Sequence, residues 1–109
     1  MDVILGQTVT IDFTTHNPLT GQVSDCDFLP VIQIFEDTTD VPIITPTAVR
    51  RLAQIGDYRV TFTVTAALGY HKNSSYNVIA TATVAGITAK GRIQDFSLVT
   101  QQSGAVFTV

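Results

Sequence analysis

The chain has 109 residues and a net charge of −3; 45% of its residues are hydrophobic and only 14% are charged. That length makes one domain able to bury a core without disulfides or metal. The acidic balance excludes a phosphate-backbone binder, which needs a basic footprint, so no nucleic-acid partner is expected.

Met1 to Leu5 reads as an N-terminal arm that brings Val3, Ile4 and Leu5 ahead of the first strand. It has no basic start and too short an apolar run for a signal peptide, so the expectation is folding in a cytoplasm. No apolar run approaches the roughly 20 residues of a membrane helix, so no membrane partner is expected. Residues 6–99 read as one domain. The first strand spans about Gln7 to Thr15, with Val9, Ile11 and Phe13 on one face and Thr8, Thr10, Asp12 and Thr14 on the other. His16 to Gly21 is a loop of turn formers, and Val23 to Leu29 is irregular. A second strand covers Val31 to Glu36, with Asp37 to Asp40 as its turn and Val41 to Thr45 as its return. Pro42 and Pro46 cannot donate ladder hydrogen bonds, so the return is an edge strand or is broken. Thr47 to Ile55 continues it.

The clearest alternation follows. From Tyr58 to Thr65 even positions are apolar and odd positions polar, and from Tyr76 to Val84 the even positions again carry the apolar face, the period of a half-buried strand. Between them Ala66 to Tyr70 lacks alternation and fits a single helical turn capped by Gly69. Ile87 to Gln94 pairs with Ser75 to Ala85 across a tight turn at Ala85-Gly86. Ala89, Gly91 and Ile93 share one parity while Phe96 and Leu98 take the other, so a β-bulge near Gln94-Asp95 is required to bring both inward. The expected core is Phe13, Phe35, Tyr58, Phe62, Tyr76, Val78, Ile93 and Phe96. About seven short strands without a substantial helix predict an all-β, immunoglobulin-like antiparallel sandwich in a single domain. Residues 100–109 form a C-terminal extension, a polar spacer Thr100 to Gly104 followed by the apolar, strand-forming Ala105-Val106-Phe107-Thr108-Val109.

No catalytic constellation converges. His16 and His71 lack a second ligand at metal spacing, and solvated histidines are the simpler reading. Asp25, Asp27, Glu36, Asp37 and Asp40 hold enough oxygens for calcium but no EF-hand spacing, and aspartate commonly caps turns. Cys26 is the one cysteine, so no intrachain disulfide forms. It stands between two aspartates, a setting for an inert thiol rather than a nucleophile. Asn73-Ser74-Ser75 matches a glycosylation triplet that needs a secretory route. Trp is absent, which weakens a sugar platform built on Tyr58 or Tyr70. No cofactor, metal or enzymatic activity is expected.

Several segments resemble the small immunoglobulin-like proteins of tailed-bacteriophage virions. They are Val9-Thr10-Ile11-Asp12-Phe13-Thr14-Thr15-His16-Asn17-Pro18 with Thr20-Gly21, then Ile34-Phe35-Glu36-Asp37. Further on come Gly56-Asp57-Tyr58-Arg59-Val60, Ser75-Tyr76-Asn77-Val78, Val84-Ala85-Gly86-Ile87 and Phe96-Ser97-Leu98-Val99. The resemblance covers Gly6 to Val99 and implies a capsid decoration (cement) protein that binds the major capsid protein or other virion proteins, and possible self-association. A tail or neck component, or a module binding host glycan or protein, is the alternative. Apolar chain ends are an aggregation hazard unless something covers them. The expected partner interface is therefore Val3, Ile4, Leu5, Ala105, Val106, Phe107 and Val109, the last group reaching a neighbour by strand addition or forming an eighth strand at home.

Overall fold

The computed structural model describes residues 1–51, 54–71 and 73–99. Period-two patterning resolves into seven strands: β1 (Asp2–Ile4), β2 (Thr8–Thr14), β3 (Val31–Glu36), β4 (Ala48–Arg50), β5 (Asp57–Thr63), β6 (Ser75–Val84) and β7 (Ile87–Val99). They form a four-stranded sheet in the order β1-β7-β6-β3 and a three-stranded sheet in the order β2-β5-β4. Strands β4-β5-β2 and β3-β6-β7 have the connectivity of the two sheets of an immunoglobulin sandwich. Among the described residues the strand pairings are antiparallel except one: β1 runs parallel to the end of β7, Val3 opposite Leu98.

The inward residues meet in one core. Val9, Ile11, Val60 and Phe62 come from one sheet, and Ile32, Ile34, Tyr76, Val78, Phe96 and Leu98 from the other. An aromatic cluster ties the layers together: Phe62 lies 5.9 Å from Phe96, which stacks on Tyr76 at 5.2 Å, and Tyr70 meets Tyr76 edge-on at 5.1 Å. Tyr76 stands at the start of β6 and binds back to the backbone. Its hydroxyl accepts from the His71 N–H at 2.6 Å, the tyrosine corner of immunoglobulin sandwiches. Val78, two residues on, occupies the position where such domains often carry a disulfide, and it packs as a plain hydrophobe.

Several expectations need correction. Phe35 is not a core residue: its parity is opposite to that of the fully buried Ile32 and Ile34, so it stands half-buried on the outer face of its sheet beside Asn77. Phe13 and Ile93 lie at the core margin, half-buried against it. Met1 to Leu5 is not a free arm, because Asp2–Ile4 adds to β7 and places Val3 in the core. The Val41–Thr45 return, by contrast, is broken as Pro42 within it and Pro46 after it predict, and keeps a single bridge between Ile34 and Ile44. The continuation Thr47–Ile55 narrows to β4, which has left β3 to join β5 in the opposite sheet.

The bulge exists, slightly earlier than expected. Val78 pairs with Gln94 and Ile79 with Arg92, so Ile93 is the extra residue. It brings Gly91 and Ala89 before it, and Phe96 and Leu98 after it, onto the same side of the sheet. The helical turn falls at Ala66–Leu68 with Gly69 left-handed at its end, and the Ala85-Gly86 turn has both residues at positive φ, as a type I′ hairpin requires.

Candidate functional site

The residues expected to face a partner are not gathered in one place. Val3 is buried in its own core, while Ile4 and Leu5 are half-buried, Leu5 against that core. Ala105, Val106, Phe107 and Val109 lie outside the described residues.

A different surface stands out, at the end of the sandwich where three connections converge. These are the long segment between β2 and β3, the residues just before β5, and the β6–β7 turn. Their backbones are held from below by polar groups. Thr15 Oγ1 donates to the Ser24 carbonyl at 2.7 Å, and the Cys26 N–H donates to the Tyr58 hydroxyl at 2.9 Å. Asp25 accepts from the Gly56 N–H at 2.6 Å and from Arg50 Nε at 3.0 Å. Asp27 accepts from the N–H groups of Ala85 and Gly86 at 3.2 and 2.9 Å, while its own N–H donates to Thr83. The Gly56 N–H and then Arg50 hold the Asp25 carboxyl below the usual carboxylate range, so this anchor stays charged.

On those pinned loops the large apolar side chains face water. Leu19 is 74% exposed, Ile55 65% and Phe28 62%, with Val23, Leu29 and Ile87 also exposed. Val23 lies against Gly56, next to Ile55, and Phe28 follows the aspartate that holds the turn before Ile87. Large apolar side chains left in water at the loop end of a sandwich make that end a candidate interaction surface.

The outer face of the four-stranded sheet carries a second feature, an open groove of about 810 Å³ floored by Phe35 and Ile79. Glu36, Asp37 and Asp40 line one side and Lys90 and Arg92 the other. At its margin His71 Nδ1 lies 3.1 Å from Glu36, whose carboxyl also accepts from the Tyr76 hydroxyl at 3.2 Å. His71, then Tyr76, keep the Glu36 carboxyl below its usual range. Among the described residues no hydroxyl or thiol hydrogen-bonds to the His71 ring, so the pair has an orienting acid and no nucleophile set against it. The acidic residues weighed for calcium are divided between these two regions, and Asp25 and Asp27 are committed to backbone N–H groups.

Comparison with protein families, curated proteins and solved structures finds no match to this chain. The surface must therefore be read from its own chemistry. Sequence reading missed the apolar loop end because isolated hydrophobes in an irregular stretch have no period to assign them. The available signal was Phe28-Leu29, an adjacent apolar pair in a segment otherwise rich in turn formers.

Proposed function

We propose that this chain is a non-enzymatic virion structural protein, a capsid decoration protein of a tailed bacteriophage that binds the major capsid protein. One observation carries the reading: the sandwich presents exposed Leu19, Phe28, Leu29 and Ile55 on the connections at one end, where Asp25 and Asp27 hold backbone N–H groups of Gly56 and Gly86. Such a surface is preorganised, so docking loses little loop entropy. Its low charge keeps the desolvation cost of covering it small. Many copies of a small domain would then multiply a modest contact energy by avidity across the shell. The sequence resemblance to immunoglobulin-like phage proteins supplies the virion context.

A second reading, a tail or neck component or a host-surface binding module, draws on the same observation, because loops clustered at one end of an immunoglobulin sandwich also serve ligand recognition. Quantitative mass spectrometry of gradient-purified particles of the encoding phage separates the two. A copy number comparable to that of the capsid subunits supports decoration, whereas a handful of copies with specific binding on a glycan array supports the second. Absence from the particles overturns the virion reading.

A further inference from the structure

The three-stranded sheet has an unguarded edge. The Val64 N–H donates to Gln7 O and the Thr15 N–H to Gly56 O, both at 2.9 Å, which fixes the ladder phase. Odd-numbered residues of β2 therefore bond to β5, and the N–H and C=O groups of Thr8, Thr10, Asp12 and Thr14 point to the open side. Among the described residues none pairs with them.

The other edges are blunted. β1 and β4 are three residues long, and β3 is bridged by Ile44 and Thr47. β7 bears Lys90, Arg92 and the Ile93 bulge, the usual devices against strand addition. β2 is seven residues, regularly paired, with no proline or bulge.

Beside this edge the layers part to leave a slot of about 240 Å³, with Phe13 on one side and Ala80, Ala82, Ala89, Gly91 and Ile93 on the other. A Cβ built on Gly91 would meet nothing within 4 Å, so the space is open. Thr14, Thr15, Lys90 and Arg92 complete its lining.

We propose that β2 accepts, as an added strand, residues Ala105–Val109 from a second copy of this chain. This deepens the multi-copy reading above by naming the chain itself as one partner. The segment alternates as the place demands: Ala105, Phe107 and Val109 fall on one face, toward the slot, and Val106 and Thr108 on the other, continuing the threonine face of β2. Val99 pairs with Ile4, at the end of the sandwich where β2 begins. The turn after Ile4 is anchored by the Gly6 N–H to Val64 O at 2.6 Å. The slot lies at the other end, beside Phe13, roughly 17 Å along β2 from Thr8. Thr100 to Gly104 spans about 15 Å when extended, enough for the segment to leave the parent domain and reach the edge of a neighbour.

Light scattering on the purified full chain over a concentration series tests this, beside two variants. One lacks residues 105–109; the other is Thr10→Pro, which removes an edge N–H without touching the β2–β5 ladder. The full chain should self-associate, and each variant should stay folded by circular dichroism and associate at least tenfold more weakly. Mixed, they should form a complex, because one keeps the edge and the other keeps the strand. A monomeric full chain, a shortened chain that does not fold, or folded variants that fail to complement would overturn the proposal. Thr14→Pro replaces Thr10→Pro if the latter does not fold. Self-association is read without particles, so its failure leaves capsid binding standing, and absence from particles leaves self-association standing.

Discussion

Tyr70 and Tyr76 touch edge-on in the core, yet their hydroxyls have opposite fates. That of Tyr76 is held by the His71 backbone and Glu36, whereas that of Tyr70 is buried without a partner, and burial pushes its ionisation well above the usual tyrosine range. Removing a satisfied buried hydroxyl costs about 1–3 kcal/mol, while removing an orphaned one is neutral or favourable. Tyr76→Phe should therefore lower the urea midpoint and Tyr70→Phe should leave it unchanged or raise it. Gly56 makes a second contrast with its neighbours. Its φ is +70° and an added Cβ would come within 2.6 Å of Val23 and 2.9 Å of the Ser24 carbonyl, so Gly56→Ala should destabilise by about 2–4 kcal/mol in the same assay. Neither role was legible in the sequence. A tyrosine's apolar ring is visible in a strand pattern, but its hydroxyl partner is not, and Gly56 read only as punctuation.

At the scale of elements, the strands were legible wherever alternation was long. β2, β3, β5 and β6 fall within a residue or two of their expected bounds, and the β6–β7 turn lies where Ala85-Gly86 put it. What escaped were choices decided by a partner strand. Phe35 has the size of a core residue but the wrong parity, β1 is too short to show a period, and the placement of the bulge at Ile93 depends on the register with β6. Phe62, buried between the sheets, should be among the costliest truncations, about 3–5 kcal/mol for Phe62→Ala. Two carboxylates, one on each sheet, also predict a pH response. Arg59 holds Asp12 bidentately at 2.7 and 3.1 Å and lowers its ionisation from the ordinary 3.8, and His71 lowers Glu36 from 4.5. A carboxyl depressed in the folded chain stabilises above its unfolded value and loses that contribution as pH falls through the folded one. The urea midpoint should accordingly drop below about pH 4, and Asp12→Asn or Glu36→Gln should each make that drop shallower. Both groups are largely solvated or near solvent, so each effect is small.

For the whole molecule, a β-sandwich followed from period-two patterning alone, since one apolar face per strand has to be covered by another layer. The proposed binding surface did not follow. It combines apolar side chains from separate connections that only the fold brings to one end, above carboxylates whose backbone partners lie about 30 to 60 residues away in sequence. The central proposal is that this end binds a virion shell, and co-sedimentation with purified shells of the phage proposed to encode it measures this directly. The full chain should bind saturably, and the double substitution Phe28→Asp with Leu29→Asp, at two exposed positions, should weaken binding at least tenfold while leaving the unfolding free energy within about 0.5 kcal/mol. Equal binding by the folded double variant, or no binding by the full chain, would contradict the account.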